Sequence, residues 1–397
     1  MKRILFLAEG ATMAHFVRPL ALAEACAGLP YEVHFYAPAR FSPYLKGKKF
    51  TPGELAAMPG EQFLENVAKG RPMYPREVLR QYVLDDRALI QRLRPDLVVG
   101  DMRLTLPIAA RLEGVPAAVM MNAYWSPWAV KRCIVPELPL TRVIPPRILG
   151  PLYRAAEPLG YRMHTGQMNQ VRLEFGLPPL APDLRRMYTE GDHVLYADIP
   201  EFVPTPGAPS THRHIGICEW TSPSAKPEWW DRMAADPKPK VWVTLGSSGP
   251  LRVMPALLRA LSRLPVAVIL STSGRDVPAV TPGAFVAPLL PFTETAAVAN
   301  VVVSHGGSGG LYPAMLAGTP VLGIPSNADQ HLSTATLAAN GAGLGVRVEE
   351  ANEQKLHNAL EKLLFEPQYK QEAQRWGSIF AKYDSGAMFR QFLSDVL

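Results

Sequence analysis

Residues 301–330 read VVVSHGGSGGLYPAMLAGTPVLGIPSNADQ, and the rest of the chain falls into order around them. Val301 to Val303 have the length and β-branched composition of a buried strand. Ser304 and His305 lead at once into Gly306, Gly307, Ser308, Gly309 and Gly310. The pattern then predicts a helix over Leu311 to Ala317, stopped by Gly318 with Pro320 just beyond it. A strand, a glycine-rich turn and a helix start make an anion site. Amides at the helix N-terminus point at the ligand, and the macrodipole adds roughly half a positive charge. Glycines let the backbone approach a phosphate closely, and His305 enters the same turn as a further donor. A tight turn with no ligand is the plainer alternative for such residues alone. A second strand, Val321 to Ile324, leads into Pro325, Ser326, Asn327, Ala328, Asp329 and Gln330. In parallel α/β sheets such loops share one edge and form the ligand crevice. The stretch reads as a diphosphate cradle.

It also resembles the donor-binding signature of family-one nucleotide-sugar glycosyltransferases, in style closest to the bacterial antibiotic, macrolide and rhamnosyl transferases. That signature is His-x-Gly, a small-residue turn, Gly-x-Pro and an Asp-Gln pair. The matching residues are His305, Gly307, Gly318, Pro320, Asp329 and Gln330. The resemblance implies an α/β chain of the GT-B class, two Rossmann-like domains with parallel sheets facing across a cleft. It further implies that Asp329 and Gln330 bind sugar hydroxyls, although Asp329 could instead cap the helix that follows. Gly246, Ser247 and Ser248 follow a strand over Val241 to Leu245, where the family sets a Gly-Ser turn against the phosphates. Gly246 and Ser247 are therefore a second diphosphate contact, with helix capping the alternative for Ser248.

Bulk properties agree with a two-domain enzyme. A chain of 397 residues exceeds one ordinary core. Hydrophobic content of 48% and charged content of 19% are those of a globular protein. The 40 prolines, about twice the usual share, cluster between Pro136 and Pro239. The net charge of +6 is scattered, which suits anionic ligands or an anionic surface. No nucleic-acid recognition motif accompanies it. Cys26, Cys133 and Cys218 show no paired spacing, and His212, His214 and Cys218 match no zinc pattern. Met1 to Ala8 is too short for a signal peptide, and no apolar run reaches the ~20 residues that span a bilayer. The expectation is a cytoplasmic protein.

Along the chain, Arg3 to Ala8 and Tyr31 to Ala37 read as strands around a helix over His15 to Ala27, so the chain opens βαβ and its sheet is parallel. Residues 40–75 read as irregular. A helix over Arg76 to Leu93 precedes strands at Asp96 to Gly100 and Ala117 to Met121. Asp192 to Ile199 reads as the last strand of the first domain. The expected domains are 1–205, a linker and entry segment over 206–240, a nucleotide-sugar-binding domain over 241–375, and helices over 376–397 packing back on the first domain.

Glycosyl transfer needs a base for the acceptor hydroxyl. An imidazole changes charge close to neutral pH, which suits the task. His15 lies near the start of the first helix, where the family has a catalytic histidine in a Gly-His-x-x-Pro pattern. Here glycine is Ala14, and the proline, Pro19, comes one residue later. Asp101 ends a strand of the same sheet and is the natural partner to fix the imidazole and stabilise its charged form. The family pattern of Asp, helix and Gly-x-Pro is met by Asp101, Gly114 and Pro116. The plainer role for Asp101 is an N-cap. No acidic metal motif of the Asp-x-Asp kind occurs, so neither a metal nor a cofactor is expected, the nucleotide sugar being a co-substrate. Attack from the face opposite the diphosphate would invert the anomeric centre.

Eight residues after the motif histidine, many relatives carry a ribose-binding glutamate, and this chain has Pro313. Placed in the first turn of the predicted helix, it cannot bind a diol, which favours a deoxythymidine over a uridine diphosphate donor. For the acceptor, a small molecule or a lipid, Thr12, Tyr124, Trp125 and Trp128 are the candidate contacts, though aromatics are more often core. The segment Thr141 to Arg162 sets Arg142, Arg147, Arg154 and Arg162 among apolar residues. It reads first as a proline-broken helical cover, and is also compatible with a peripheral membrane contact. A nucleotide-sugar epimerase of the same fold and a non-catalytic nucleotide-sugar binding module are the rival readings.

Overall fold

Short apolar runs buried on both faces give parallel strands, and each run here is followed by a helix or loop that returns the chain to the same end of the sheet. A computed structural model of the chain describes residues 1–219, 224–246, 249–277 and 283–397. Two compact units result. The first takes in residues 1–133, 150–220 and 383–397, and the second takes in 134–149 and 221–382.

In the first unit the strands are β1 (Lys2–Ala8), β2 (Tyr31–Ala37), β3 (Thr51–Glu54), β4 (Leu97–Asp101), β5 (Ala117–Met121), β6 (His193–Tyr196) and β7 (His212–His214). They lie in the order β3-β2-β1-β4-β5-β6-β7, all parallel. The second unit holds β8 (Lys240–Thr244), β9 (Ala267–Ser271), β10 (Phe285–Ala287), β11 (Val301–Ser304), β12 (Val321–Gly323) and β13 (Gly343–Gly345). Their order is β10-β9-β8-β11-β12-β13, again all parallel. Each sheet grows outward from its first strand and then resumes on that strand's other side. The reversal points, β1 beside β4 and β8 beside β11, are where open α/β sheets hold ligands. Of the helices, those used below are α1 (Ala14–Ala25), α2 (Pro146–Glu174), α3 (Ser308–Leu316), α4 (Ala328–Ala339) and α5 (Ser385–Val396).

Several expectations change. Residues 40–75 are not irregular, since they contain β3 and a helix over Gly60–Ala68. The segment expected as linker supplies β7, so Asp192 to Ile199 is not the last strand of the first sheet. Its three polar residues carry no apolar signal, but Tyr196 Oη meets His212 Nδ1 at 2.7 Å and ties the strand to β6. The prolines after Thr141 do not break the chain, because α2 runs through Pro151 and Pro158. Both prolines lie on its exposed side. The carbonyls of Arg147 and Arg154, which lose their amide partners there, can turn to solvent. The helix Leu106–Glu113 is preceded by Thr105 as its cap position, so Asp101 does not cap it.

The core of the first unit lies on one face of its sheet, where Phe6, Phe35, Val99 and Leu195 meet Phe16 and Leu20 of α1. Phe389, Phe392 and Leu393 of α5 complete the same cluster, with Phe389 ring to ring on Phe6 at 5.9 Å. A helix encoded after the whole second unit therefore closes the first unit's core. Phe389→Ala is expected to cost about 3–5 kcal/mol of the first unit's stability through the cavity left behind. Urea unfolding followed by circular dichroism measures this, and a loss below ~1 kcal/mol would mean that α5 is dispensable.

Candidate active site

In the first unit, the register that sets Ala8 opposite Asp101 brings the ends of β1 and β4 together at the reversal point. The chain turns after β1 and enters α1, whose second residue is His15. Its Nδ1 lies 2.8 Å from Asp101 Oδ1. Asp101 is buried, and Arg18 grips both of its oxygens, Nε to Oδ2 at 2.7 Å and Nη2 to Oδ1 at 2.8 Å. His15 and Arg18 stand three residues apart on one helix, so both side chains face the same carboxylate. Burial works against ionising Asp101, but the charge of Arg18 and the hydrogen bonds from His15 and Arg18 outweigh it and hold the carboxyl below its ordinary value. An ionised carboxylate only accepts, so the proton of this contact is on His15 Nδ1, and in the neutral ring the lone pair is then on Nε2. Arg18 Nη2 also lies 3.0 Å from Nδ1, but with no lone pair to offer it spends its proton on Asp101.

The polar row continues along the strand ends. Arg18 Nη1 donates to Asn122 Oδ1 at 2.6 Å, and Asn122 Nδ2 donates to Asp198 Oδ2 at 3.3 Å. Asp198, just beyond β6, also accepts from the Ala123 amide at 2.5 Å. Behind it lies a second buried set. Arg103 donates to Asp86 at 2.9 Å and to Glu9 at 3.1 Å, with its guanidinium 3.5 Å above the Tyr82 ring. Burial pushes the Glu9 and Asp86 carboxyls up, and Arg103 only partly offsets this. Glu9 follows β1 and Arg103 follows β4, so this cluster pins the loop that leads to His15 and the loop that leaves Asp101. Arg18, Asn122, Asp198, Glu9 and Arg103 escaped the sequence reading. For Arg18 a signal existed, the i, i+3 spacing from His15 in an otherwise apolar run.

The candidate acceptor residues separate. Thr12 sits half-buried in the loop before α1. Tyr124 is buried, so its ring is largely interior. Trp125 meets Tyr188 edge-on at 5.2 Å and packs against an apolar cluster. Trp128 lies between the His212 ring and the Arg186 guanidinium, each at 4.7 Å.

In the second unit, the register of Ser304 opposite Thr244 sets Gly246 and His305 at neighbouring strand ends. The Gly306 backbone has φ +83°, and a Cβ there would stand 2.2 Å from Thr334 Oγ1. Its amide donates to Ser304 Oγ at 3.0 Å, while Ser333 Oγ donates to its carbonyl. The His305 ring fills space that side chains at Gly246 and Gly307 would otherwise occupy, with gaps of 3.0 and 2.7 Å to their would-be Cβ atoms. Gly307 is the cap of α3, and Ser308, Gly309 and Gly310 form its first turn. Arg275 Nη1 donates to the Gly249 carbonyl at 2.8 Å, and Nη2 donates to that of Gly246. Ser247 and Ser248, which complete this loop in sequence, lie outside the described residues.

Two donor-side expectations shift. The helix starts at Ser308 rather than Leu311, so Pro313 is its sixth residue and not in the first turn. Asn327 caps α4 instead of Asp329, and Gln330 completes that cap. The Gln330 Oε1 accepts from the Ser326 amide and hydroxyl, each at 3.0 Å, which leaves its NH2 end as the part a ligand could meet. Asp329 stays half-buried in the first turn, near enough to influence His305.

A family model described as UDP-glucoronosyl and UDP-glucosyl transferase matches residues 201–383. A PGL/p-HBAD biosynthesis glycosyltransferase of Mycobacterium tuberculosis is 40% identical over 400 residues, covering 100% of this chain and 92% of the relative. A PGL/p-HBAD biosynthesis rhamnosyltransferase of Mycobacterium bovis is 40% identical over 382 residues, covering 96% and 85%. Among solved structures, a spinosyn forosaminyltransferase is similar with a TM-score of 0.72 at 19% identity, covering 100% and 99%. A spinosyn rhamnosyltransferase complexed with thymidine diphosphate is similar with a TM-score of 0.67 at 17% identity, covering 99% and 100%. These structures share the GT-B fold with this chain.

Burial pushes the His305 imidazole down to about 4; Asp329 opposes the shift and Arg275 adds to it. The unfolded chain therefore binds the proton more readily than the folded one. The stabilisation from a neutral His305 is complete above its ordinary value of 6.5 and is lost as pH falls towards 4. Burial takes His331 to about 3, with the same sign. Urea unfolding of the second unit should thus weaken between pH 7 and pH 5, and His305→Asn should flatten that slope. An unchanged slope would show that folding leaves the affinity of His305 for its proton as it is in the unfolded chain.

Proposed function

The chain belongs to the UDP-glucuronosyl and UDP-glucosyl transferase family and is a glycosyltransferase, and we propose that it is an inverting, metal-independent one in which His15 is the base. The observation that carries this reading is the 2.8 Å contact of His15 Nδ1 with Asp101, itself held ionised by Arg18. Nε2 then takes the proton of the acceptor hydroxyl as that oxygen bonds to the anomeric carbon. The imidazolium so formed is stabilised by Asp101. The bond from the anomeric carbon to the diphosphate oxygen breaks on the opposite face, which inverts the centre. The departing negative charge falls to the N-terminus of α3, where its first amides and His305 offer hydrogen bonds to the phosphates. A neutral His305 donates through one ring nitrogen only, so its part is a hydrogen bond rather than a countercharge.

The donor is a nucleotide diphosphate hexose or deoxyhexose, deoxythymidine favoured over uridine. Pro313 supports a deoxyribose in the donor nucleotide, since it cannot hold a ribose diol. The name of the rhamnosyltransferase relative supports a deoxyhexose. Asp329 and the amide end of Gln330 are the candidate sugar contacts. The acceptor is a hydroxyl of a small molecule or a lipid.

His15→Ala and Asp101→Asn should each lower kcat by about 10²–10⁴-fold, read as transfer from labelled nucleotide sugar to a panel of hydroxyl acceptors. Heat stabilisation by thymidine diphosphate should survive in both variants. Full turnover in His15→Ala would remove it as the base. On the donor side, thymidine diphosphate should raise the Tm more than uridine diphosphate at equal concentration, and the reverse order would overturn the preference drawn from Pro313.

A further inference from the structure

We propose that the outward face of α2 is a docking surface for an anionic lipid bilayer. The inward face of this helix is an ordinary core face, on which Tyr161, Met168 and Val171 join an apolar cluster with Leu79 and Val83. A helix with one side buried normally turns polar residues outward. Here the outward side carries Ile148, Leu152, Leu159 and Met163, with exposures of 63, 66, 72 and 39%. With exposed Ala155 between them, their spacing sets them on one stripe about four turns long. Val143, just ahead of the helix, is 82% exposed. Of the large apolar side chains described as exposed, Ile148, Leu152, Leu159 and Met163 lie on this one helix. Such concentration in one place marks a contact surface.

Charge selects the partner. Arg147, Arg154 and Arg162 are exposed beside the stripe. Between residues 138 and 173 the sequence holds a single acid, Glu157, which is buried and paired with Lys131 at 2.5 Å. An apolar stripe flanked by arginines and free of exposed acids matches an acyl boundary rimmed by anionic headgroups. The arginine stems lie along the apolar surface while their heads reach phosphate. A second copy of the chain fits less well, because a symmetric contact would set like-charged rows against each other. The prolines fix the depth. The carbonyls left without amides at Arg147 and Arg154 need water or headgroup donors, which the hydrocarbon interior lacks. No helix among the described residues is long and apolar enough to cross a membrane. The helix therefore lies in the interface.

The residues of this surface are not among those assigned to sugar transfer, and the inference holds whether or not the acceptor is a lipid. The test is co-sedimentation of the full chain with phosphatidylcholine vesicles prepared with and without phosphatidylglycerol. Binding is expected to the phosphatidylglycerol vesicles, to fall as salt rises, and to be weak on phosphatidylcholine alone. Leu152→Ser combined with Leu159→Ser should weaken binding by about tenfold or more while the circular dichroism spectrum is unchanged. Arg147→Gln combined with Arg162→Gln should remove the preference for phosphatidylglycerol. Equal binding to both vesicles, no binding to either, or double variants that bind like the parent would each overturn the proposal. So would a concentration-dependent dimer, seen by light scattering, that the leucine variant abolishes.

Discussion

Charge taken out of water must be answered by charge, and in the first unit that requirement fixes the geometry at the sheet's reversal point. Asp101 is buried at the end of β4, and Arg18 answers it with both arms. Glu9 and Asp86 are equally buried, and Arg103 answers them in turn. Each guanidinium joins an element near β1 to one near β4. Removing either would strand a carboxylate in the interior, a cost of about 3–5 kcal/mol. The positions of His15 and Asp101 are thus set by solvation.

The two units answer charge by opposite means. The first uses ionised side chains, locked in pairs, with an imidazole left at the margin. The second presents backbone at the corresponding reversal point: a glycine-rich turn, a helix start and a neutral imidazole packed between two glycines. Bare amides suit a ligand that brings its own negative charges. A fixed carboxylate suits a proton that must be moved one step and returned. Under the proposed function, the same sheet topology would serve phosphate in one case and a hydroxyl in the other.

Much of this was legible in the residues. Buried parallel strands such as Leu97–Asp101 and Val301–Ser304 are apolar runs, and the turn after β11 announces itself by its glycines. His15 and Asp101 could be paired because both follow strands of one βαβ start. What stayed hidden depends on tertiary contact. Arg18 on a helix reads as a solvated arginine until Asp101 is seen beneath it. The three residues of β7 read as linker because they pair with β6 through the backbone ladder and a Tyr196 contact, with no apolar side chain to signal a strand. Continuous helix through Pro151 and Pro158 contradicts local preference, and it persists because packing on the inner face outweighs two lost hydrogen bonds. Gln330 resembles a sugar ligand by motif, while its oxygen is used in capping α4.

The position of α5 also bears on how the molecule is made. Its phenylalanines fill the first unit's core, yet residues 221–382 must be synthesised before they exist. At about 5–20 residues per second, that is a delay of roughly 10–30 s. During it the nascent first sheet has all its strands but lacks the side chains that cover Phe6 and Phe35. The first half of the code therefore completes its core last, with the residues that end the chain's synthesis.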